Sequence, residues 1–396
     1  MNAGQTAGRF GFRKLQRVPR RYRNLQERFV GGNRVLLLRD GVEAFPAMLE
    51  AIREAESQVL LEMYWLDSDR TGRIFAQALL DAAARGVEVA VLYDSLGSWD
   101  ADETMFEELA AGGVKLVEYN PLMPWKKRFR LGRLTLRDHR KLLVVDGRTG
   151  FTGGINLADA WASLDEEGKG WRDDMIRLQG PAVAGLVDMF LVTWSAEGGA
   201  PLVRAGDGAG AHAGSHDVRV LGENFAKSRR EIVSAYLYNI YRAQRSVYIT
   251  NAYFVPDPSV VRALKRAADR GVDVRVLLPA VSDVEIVRHA SRAVWGTLLR
   301  HGVRIFEWTK SILHCKTAVI DGSWSTIGTF NLDYRSVFWN LEVNVSVRDP
   351  AFGEVVERSF LRDLEHSREV DYHTFRFRSL GDRLLESVLY AFRRLL

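Results

Sequence analysis

The sequence predicts an α/β protein of two pseudo-twofold-related lobes, each a mixed, mostly parallel sheet flanked by helices. Three observations predict it. A motif recurs: His139, Lys141, Asp146, Gly153 and Asn156 return as His314, Lys316, Asp321, Gly328 and Asn331, every pair offset by 175 residues, which marks an internal duplication. Strand and helix patterns alternate in the same order through both halves. The 396 residues, 47% of them hydrophobic, are enough to bury two sizeable cores.

Residues 1–30 read as a basic arm, with eight Arg or Lys against Glu27 alone. The arm carries +7, so the rest of a chain of net charge +5 sums to −2. Phe10, Phe12, Leu15, Tyr22, Leu25 and Phe29 are interleaved with the cations, a mixture that suits an anionic membrane surface at about 1 kcal/mol per nearby charge. Nucleic acid and a solvated tail are the competing readings of this arm.

Lobe one spans 31–196. Strands are predicted at Val35–Leu38, Val59–Trp65, Val87–Tyr93 and Val114–Tyr119, with helices at Gly41–Ala55, at Arg73–Arg85 and through Leu109 between them. Residues 197–217 are rich in Gly and Ala and read as a linker, with His212 and His216 solvated in it. Lobe two, 218–368, repeats the order: helix Arg229–Ala243, strand Val247–Phe254, helix Val260–Arg270, strand Val272–Leu278, a helix to Leu299 and strand Val303–Trp308. The lobes differ at one place. Nineteen residues separate Tyr119 from His139, against five between Trp308 and His314. Within this surplus, 121–137 holds six basic residues and no acid, together with Trp125 and Phe129. Such a loop supplies aromatics for a lipid interface and cations for phosphates. The tail, 369–396, carries a helical stripe of Leu384, Leu385, Val388, Leu389, Phe392, Leu395 and Leu396, which fits either the protein's own core or a membrane interface.

The motif spacing has a chemical meaning. Leu142–Val145 is a short apolar run, hence a buried strand, and residues i and i+2 of a strand share a face. His139 and Lys141 therefore project together, as do His314 and Lys316. Asp146-Gly147 and Asp321-Gly322 are turn signals, after which the chain returns to deliver Asn156 and Asn331 near the same end. Paired lobes would bring two His, two Lys and two Asn into one cleft. Two imidazoles can divide the roles of nucleophile and general acid. Two ammonium groups and two amides suit the non-bridging oxygens of a phosphate. Metal-ligand spacings are absent from the motifs, so no metal and no cofactor are expected. Asp146 and Asp321 complete the catalytic motif, but stand five residues past each lysine at the far end of a strand, where they hold the turn or pair with a neighbouring cation. Cys315, the only cysteine, points away from the cleft as a packing residue.

The pattern HxKxxxxD followed by GxxN, present twice, resembles the phospholipase D superfamily. Val59-Leu60-Leu61-Glu62, Trp171-Arg172-Asp173, Asn251-Ala252-Tyr253-Phe254-Val255-Pro256 and Asn340-Leu341-Glu342 look like bacterial cardiolipin synthases, in particular shorter forms without N-terminal membrane spans. The likeness covers about residues 31–365. It implies the phospholipase D fold and a phosphatidyltransferase that condenses two phosphatidylglycerols to cardiolipin and glycerol through a phosphatidyl-histidine. It implies that Asp173 and Glu342 orient His139 and His314, with His139 the nucleophile and His314 the acid. The superfamily often has Ser after the motif Gly. Here Gly154 and Thr329 stand at that place, so phosphate would be gripped by a backbone N–H in lobe one and a hydroxyl in lobe two. Anionic phospholipid and a membrane surface are the expected partners, through 1–30, 121–137 and the tail; nucleic acid and a protein partner are not. The corresponding location is peripheral, on the cytoplasmic face of a bacterial membrane. No run approaches the ~20 apolar residues of a membrane span, and 1–30 lacks the apolar core of a secretory signal. A nuclease with the same residues, a lipid hydrolase and a non-catalytic membrane protein are the alternatives.

Overall fold

The computed structural model describes residues 28–126, 128–205, 212–223 and 230–394. The basic arm expected at 1–30 thus lies almost entirely outside the described residues. Of its last three, Arg28 approaches Glu231 at 3.9 Å and Phe29 lies under the Arg348 guanidinium at 4.7 Å.

The first half begins with β1 (Val30–Arg39) and α1 (Asp40–Arg53). It continues through β2 (Gln58–Met63), α2 (Arg70–Ala84), β3 (Glu88–Asp94), α3 (Glu103–Ala111) and β4 (Lys115–Tyr119). A two-residue strand, β5 (Arg137–Asp138), precedes β6 (Lys141–Val145), β7 (Thr149–Gly153) and β8 (Asp174–Gln179), and α4 (Val183–Ala196) follows. The second half runs β9 (His216–Glu223), α5 (Glu231–Arg242), β10 (Ser246–Asn251), α6 (Pro258–Asp269), β11 (Asp273–Pro279), α7 (Glu285–Arg300) and β12 (Arg304–Trp308). Then come β13 (Lys316–Ile320), β14 (Trp324–Gly328), α8 (Tyr334–Phe338), β15 (Asn340–Arg348) and α9 (Pro350–Leu364). The chain ends in β16 (Ser367–Glu369), α10 (Tyr372–Arg376) and α11 (Leu380–Ala391). Helix starts are written in the sequence as acceptor side chains. Asp69, Asp102, Asp257 and Asp349 each cap a helix by accepting a backbone N–H from its first turn.

One mixed sheet crosses both halves, in the order β16-β12-β11-β10-β13-β14-β15-β9-β1-β8-β7-β6-β2-β3-β4. Leaving β16 aside, the order reads the same outward from the β9–β1 pair in both directions, as a duplicated chain about a pseudo-twofold axis should. The expectation of a mostly parallel sheet is corrected. Apart from two isolated bridges, Leu66–Leu157 and Arg172–Leu313, parallel pairing among the described residues is confined to β2-β3-β4, β10-β11-β12 and the short β5–β15 ladder; the other described ladders are antiparallel. The reason is connection length. Parallel neighbours need a helical crossover, which α2, α3, α6 and α7 supply, whereas the motif strands are joined by tight Asp-Gly turns that force antiparallel pairing.

Helices α1, α2 and α3 cover one core with Phe75, Leu79 and Met105; α5, α6 and α7 cover a second with Tyr236, Leu264 and Trp295. A third core joins the halves, holding Leu142, Val144 and Ile176 together with Val319, Ile327 and Val345, and is closed by α4 and α9. Arg172 ties the joint. Its guanidinium is 3% exposed and bonds Asp363 of α9 and Asp174 of β8. His216, expected as a solvated linker residue, instead opens β9, and its Nδ1 accepts the Val35 N–H at 3.0 Å.

In the surplus segment, half of the cations are neutralised internally. Lys126 pairs with Glu118, Arg133 with Glu197 and Arg137 with Asp94, while Trp125 (78%) and Leu131 (74%) stand in solvent. Lys127 lies outside the described residues. Most of the tail stripe does not pack on the core: Leu384, Leu385, Val388 and Phe392 are exposed, Leu389 alone among its described residues is half-buried against Val255, Val287 and Ala290, and Leu395 and Leu396 lie outside the described residues.

Candidate active site

Each motif strand is placed by two lines of hydrogen bonds. On one side β6 pairs with β2 and β13 with β10, so that Lys141 faces Met63 and Lys316 faces Asn251. On the other, the histidine two residues before each strand reaches into the opposite half. The His139 N–H donates to the Leu341 carbonyl at 3.0 Å, and the His314 N–H donates to the Arg172 carbonyl at 2.8 Å. The residues that follow those two carbonyls are Glu342 and Asp173.

This short crossing decides which carboxylate meets which ring. His139 Nδ1 lies 3.1 Å from both carboxylate oxygens of Glu342, and His314 Nδ1 lies 2.8 Å from Asp173 Oδ2. The pairing is therefore exchanged between halves: Asp173 serves His314 and Glu342 serves His139. The carboxylates are held in turn. Asp173 accepts from Trp161 Nε1 at 3.0 Å and from the Asp174 N–H at 2.8 Å; Glu342 accepts from Thr329 Oγ1 and from Asn340 Nδ2. With Nδ1 occupied, Nε2 of His139 is left for a ligand, whereas Nε2 of His314 lies 3.0 Å from Lys316 Nζ.

Both histidines, Asn156 and Asn331 line one cavity of about 440 Å³. Each amide Oδ1 is taken by a backbone N–H, of Trp65 for Asn156 at 3.1 Å and of Tyr253 for Asn331 at 3.4 Å. That fixes the Nδ2 donors as the groups available to a ligand. Tyr64 packs edge-on against His139 and Tyr253 edge-on against His314. Trp161 and Trp171 flank the His314 ring. Arg335 also lines the cavity. A larger hollow of about 600 Å³, lined by Tyr93, Phe106 and Trp125, contains no motif residue and is not the site.

Lys141 and Lys316 lie beneath this cavity, 0% and 1% exposed. Lys141 Nζ donates to the His139 carbonyl at 2.8 Å, and Lys316 Nζ to the His314 carbonyl while lying 2.9 and 3.0 Å from the ring nitrogens. Burial drives these groups toward neutrality. Burial and the neighbouring Lys316 hold Lys141 down to about 7; burial also lowers Lys316. Burial, then Lys141, Lys316 and His314, hold His139 well below the usual imidazole range; burial and Lys316 lower His314 against the pull of Asp173. Burial pushes Glu342 up to about 7, whereas Asp173 ends below the usual carboxylate range because the His314 hydrogen bond and charge outweigh its burial.

Four expected site residues stand elsewhere. Asp146 accepts the Glu56, Ser57 and Gln58 N–H groups at 2.8–3.0 Å, and Asp321 accepts those of Gln244, Arg245 and Ser246. Both are turn residues of positive φ, 53° and 54°, that staple the hairpin to the neighbouring strand, at the opposite end of the motif strand from its histidine. Gly154 cannot offer its N–H to phosphate, because it donates to the Asp174 carbonyl at 2.9 Å. Its role is space: a Cβ there would stand 2.1 Å from Asp173 Oδ1. Thr329 gives its hydroxyl to Glu342, not to the cavity. Cys315 is fully buried, facing the joint between halves. The sequence reading missed Trp161, Asn340, Tyr64 and Arg335. Trp161 opens a stretch that reads as a polar loop, Asn340 stands in the Asn340-Leu341-Glu342 stretch without a role of its own, and Tyr64 and Arg335 carry no motif. Among the described residues, no group of three or more His, Cys, Asp or Glu could hold a metal ion.

The comparisons with known proteins agree with this architecture. A chain 35% identical over 361 residues, a cardiolipin synthase of a Geobacillus strain, is matched over 89% of this chain and 70% of its own length. A probable cardiolipin synthase of Bacillus subtilis is 33% identical over 368 residues, covering 90% and 71%. In structure the chain is similar to a phosphatidylserine synthase of Haemophilus influenzae, with a TM-score of 0.68 at 13% identity over 95% of this chain and 97% of that one. It is also similar to a polyphosphate kinase of Porphyromonas gingivalis, with a TM-score of 0.54 at 13% identity over 91% and 55%. A profile described as cardiolipin synthase, PLD-like domain, matches residues 48–168 and 236–364, one match to each half, and the chain accordingly belongs to the cardiolipin synthase family of phospholipase D-like proteins.

Proposed function

We propose that the protein is a phosphatidyltransferase that condenses two phosphatidylglycerols to cardiolipin and glycerol. The observation that carries this reading is the pair of exchanged imidazole–carboxylate contacts on one cavity, with two amide donors beside them. The phosphate of the first lipid sits between Asn156 and Asn331, above the ammonium groups of Lys141 and Lys316. Its charge offsets the burial and the Lys316 repulsion that hold Lys141 and His314 down and the burial that lowers Lys316, so the protonated forms are favoured as it binds. His139, oriented by Glu342, turns Nε2 to phosphorus. The P–N bond forms as the P–O bond to the glycerol headgroup breaks, and His314 gives that oxygen its proton. The glycerol hydroxyl of a second phosphatidylglycerol then yields a proton to His314 and attacks phosphorus. The P–N bond breaks, cardiolipin leaves and His139 is restored. Asp173 holds the His314 tautomer through both steps.

The exposed Trp125 and Leu131 support contact of the 121–137 segment with a membrane surface. Among the described residues no helix is long and apolar enough to cross one, in keeping with attachment at the surface. The reading is tested by incubation with phosphatidylglycerol micelles and mass analysis of the lipids. Cardiolipin with equimolar glycerol is the expected product. Phosphatidic acid alone would make the protein a hydrolase, and cleavage of nucleic acid without lipid turnover would make it a nuclease.

A further inference from the structure

We propose that α11 is an interfacial helix that seats the cleft mouth on an anionic lipid bilayer. The inference deepens the lipid reading above by naming the surface on which the site works. A surface helix ordinarily turns its apolar stripe to the core and its polar face to water. Here the arrangement is inverted. Leu380 (79% exposed), Leu384 (67%), Leu385 (46%), Val388 (44%) and Phe392 (57%) face outward, with Phe377 (73%) just ahead of them. The residue buried instead is Glu386, 1% exposed, which accepts from Arg292 Nε of α7 at 2.9 Å and from Arg378 Nε at 2.8 Å. A carboxylate clamped by two guanidinium groups fixes how the helix is rotated, since rolling the leucines inward would pull that charge out of its pairs.

The helix is also fixed in place relative to the cavity. Glu386 meets Arg292, and further along Leu389 and Tyr390 pack against Val255, Val287 and Ala290, so α11 runs antiparallel to α7. Its far end reaches the rim: Tyr390 Oη donates to the Pro256 carbonyl at 3.0 Å, and the Arg394 guanidinium lies over Tyr334 of α8 at 5.7 Å. Val284, Ile286 and Val287 at the start of α7, and Arg335 of α8, line the cavity itself. The apolar surface continues across the mouth through Ile286 (46%) and, on the opposite half, Leu96 (43%), both of which line the cavity.

Charge selects the occupant. With Glu386 and Arg378 paired, Arg376, Arg383, Arg393 and Arg394 stand around the stripe against Asp382 alone. Two copies of this face would oppose like charges, whereas an anionic bilayer meets both the cations and the leucines.

The experiment compares the full chain with a Leu384→Glu, Val388→Glu double variant. Binding is read by co-sedimentation with phosphatidylcholine vesicles with and without phosphatidylglycerol. Turnover is read on a short-chain phosphatidylglycerol dissolved below its micelle concentration. The proposal expects wild-type binding that depends on phosphatidylglycerol, loss of about tenfold or more in the variant, and unchanged turnover of the dissolved lipid. Equal vesicle binding by both chains would overturn it. So would a wild-type dimer in lipid-free buffer that the variant converts to monomer, which would make the stripe a self-association face, or a parallel loss of turnover on dissolved lipid. A wild type that binds vesicles but turns over no phospholipid would contradict the transferase reading and leave this one standing.

Discussion

Lys141 and Glu342 set the working pH through opposite effects of the same burial. Lys141, held down to about 7, loses its ammonium as pH rises through that value, and a phosphate then has one cation fewer beneath it. Glu342, pushed up to about 7, loses its carboxylate as pH falls through that value, and His139 then has no anion at Nδ1. The ratio kcat/KM on dissolved phosphatidylglycerol is therefore expected to peak near pH 7 and fall on both sides. Glu342→Gln should remove the acid limb and leave the alkaline one. The motif aspartates behave differently. Asp146 receives three backbone N–H groups and no ligand, so Asp146→Ala is expected to cost about 1–3 kcal/mol of stability, seen in denaturant unfolding, with kcat of the folded fraction unchanged. The conserved spacing of His, Lys and Asp within each copy thus joins two ligand-facing groups to one structural staple. Sequence alone could separate them only by distance along the strand.

At the scale of elements, the glycine that follows each motif hairpin is explained by what passes beside it. β7 and β14 end where the next strand's backbone comes within about a Cβ radius, as Gly153 against the Asp174 carbonyl and Gly328 against the Val343 carbonyl show. One residue on, Gly154 leaves room for the Asp173 carboxylate. Gly154→Ala should push Asp173 off His314, and a displacement of about 1 Å there is worth roughly 10²-fold in turnover. Measurement of kcat with a melting curve as control checks this; a normal kcat would show that Asp173 does not orient the ring. Much of the element order was legible from periodicity and turn residues, including both Asp-Gly turns. The parallel character was overread because βαβ alternation is conspicuous in sequence, whereas the strands that return through β8 and β15, though expected as strands, carry no mark of their direction. The tail stripe was legible as amphipathic, but not its direction. That direction is set by Glu386 meeting Arg292, a contact with a residue 94 positions away.

For the whole molecule, the duplication does more than double a motif. The β9–β1 pair joins two copies of one sheet, and the β5–β15 ladder with the Arg172–Leu313 bridge sends a carboxylate from each half to the imidazole of the other. Neither half contains a complete site. The registered copies in the sequence pointed to one shared cleft, and the same offset could not say that the carboxylates cross, because crossing depends on one two-residue ladder and one isolated bridge, too short to leave a pattern. The central claim is that one cavity holds two imidazoles with unequal roles, one bonding to phosphorus and one moving protons. It is tested most directly by quenching the protein with phosphatidylglycerol and locating the adduct by peptide mass spectrometry. The account predicts a phosphatidyl group on His139 of the wild-type protein, absent in His139→Ala and strongly reduced in His314→Ala, which lacks the proton donor for the departing glycerol; an adduct on His314, or none on either ring while cardiolipin still forms, would contradict it.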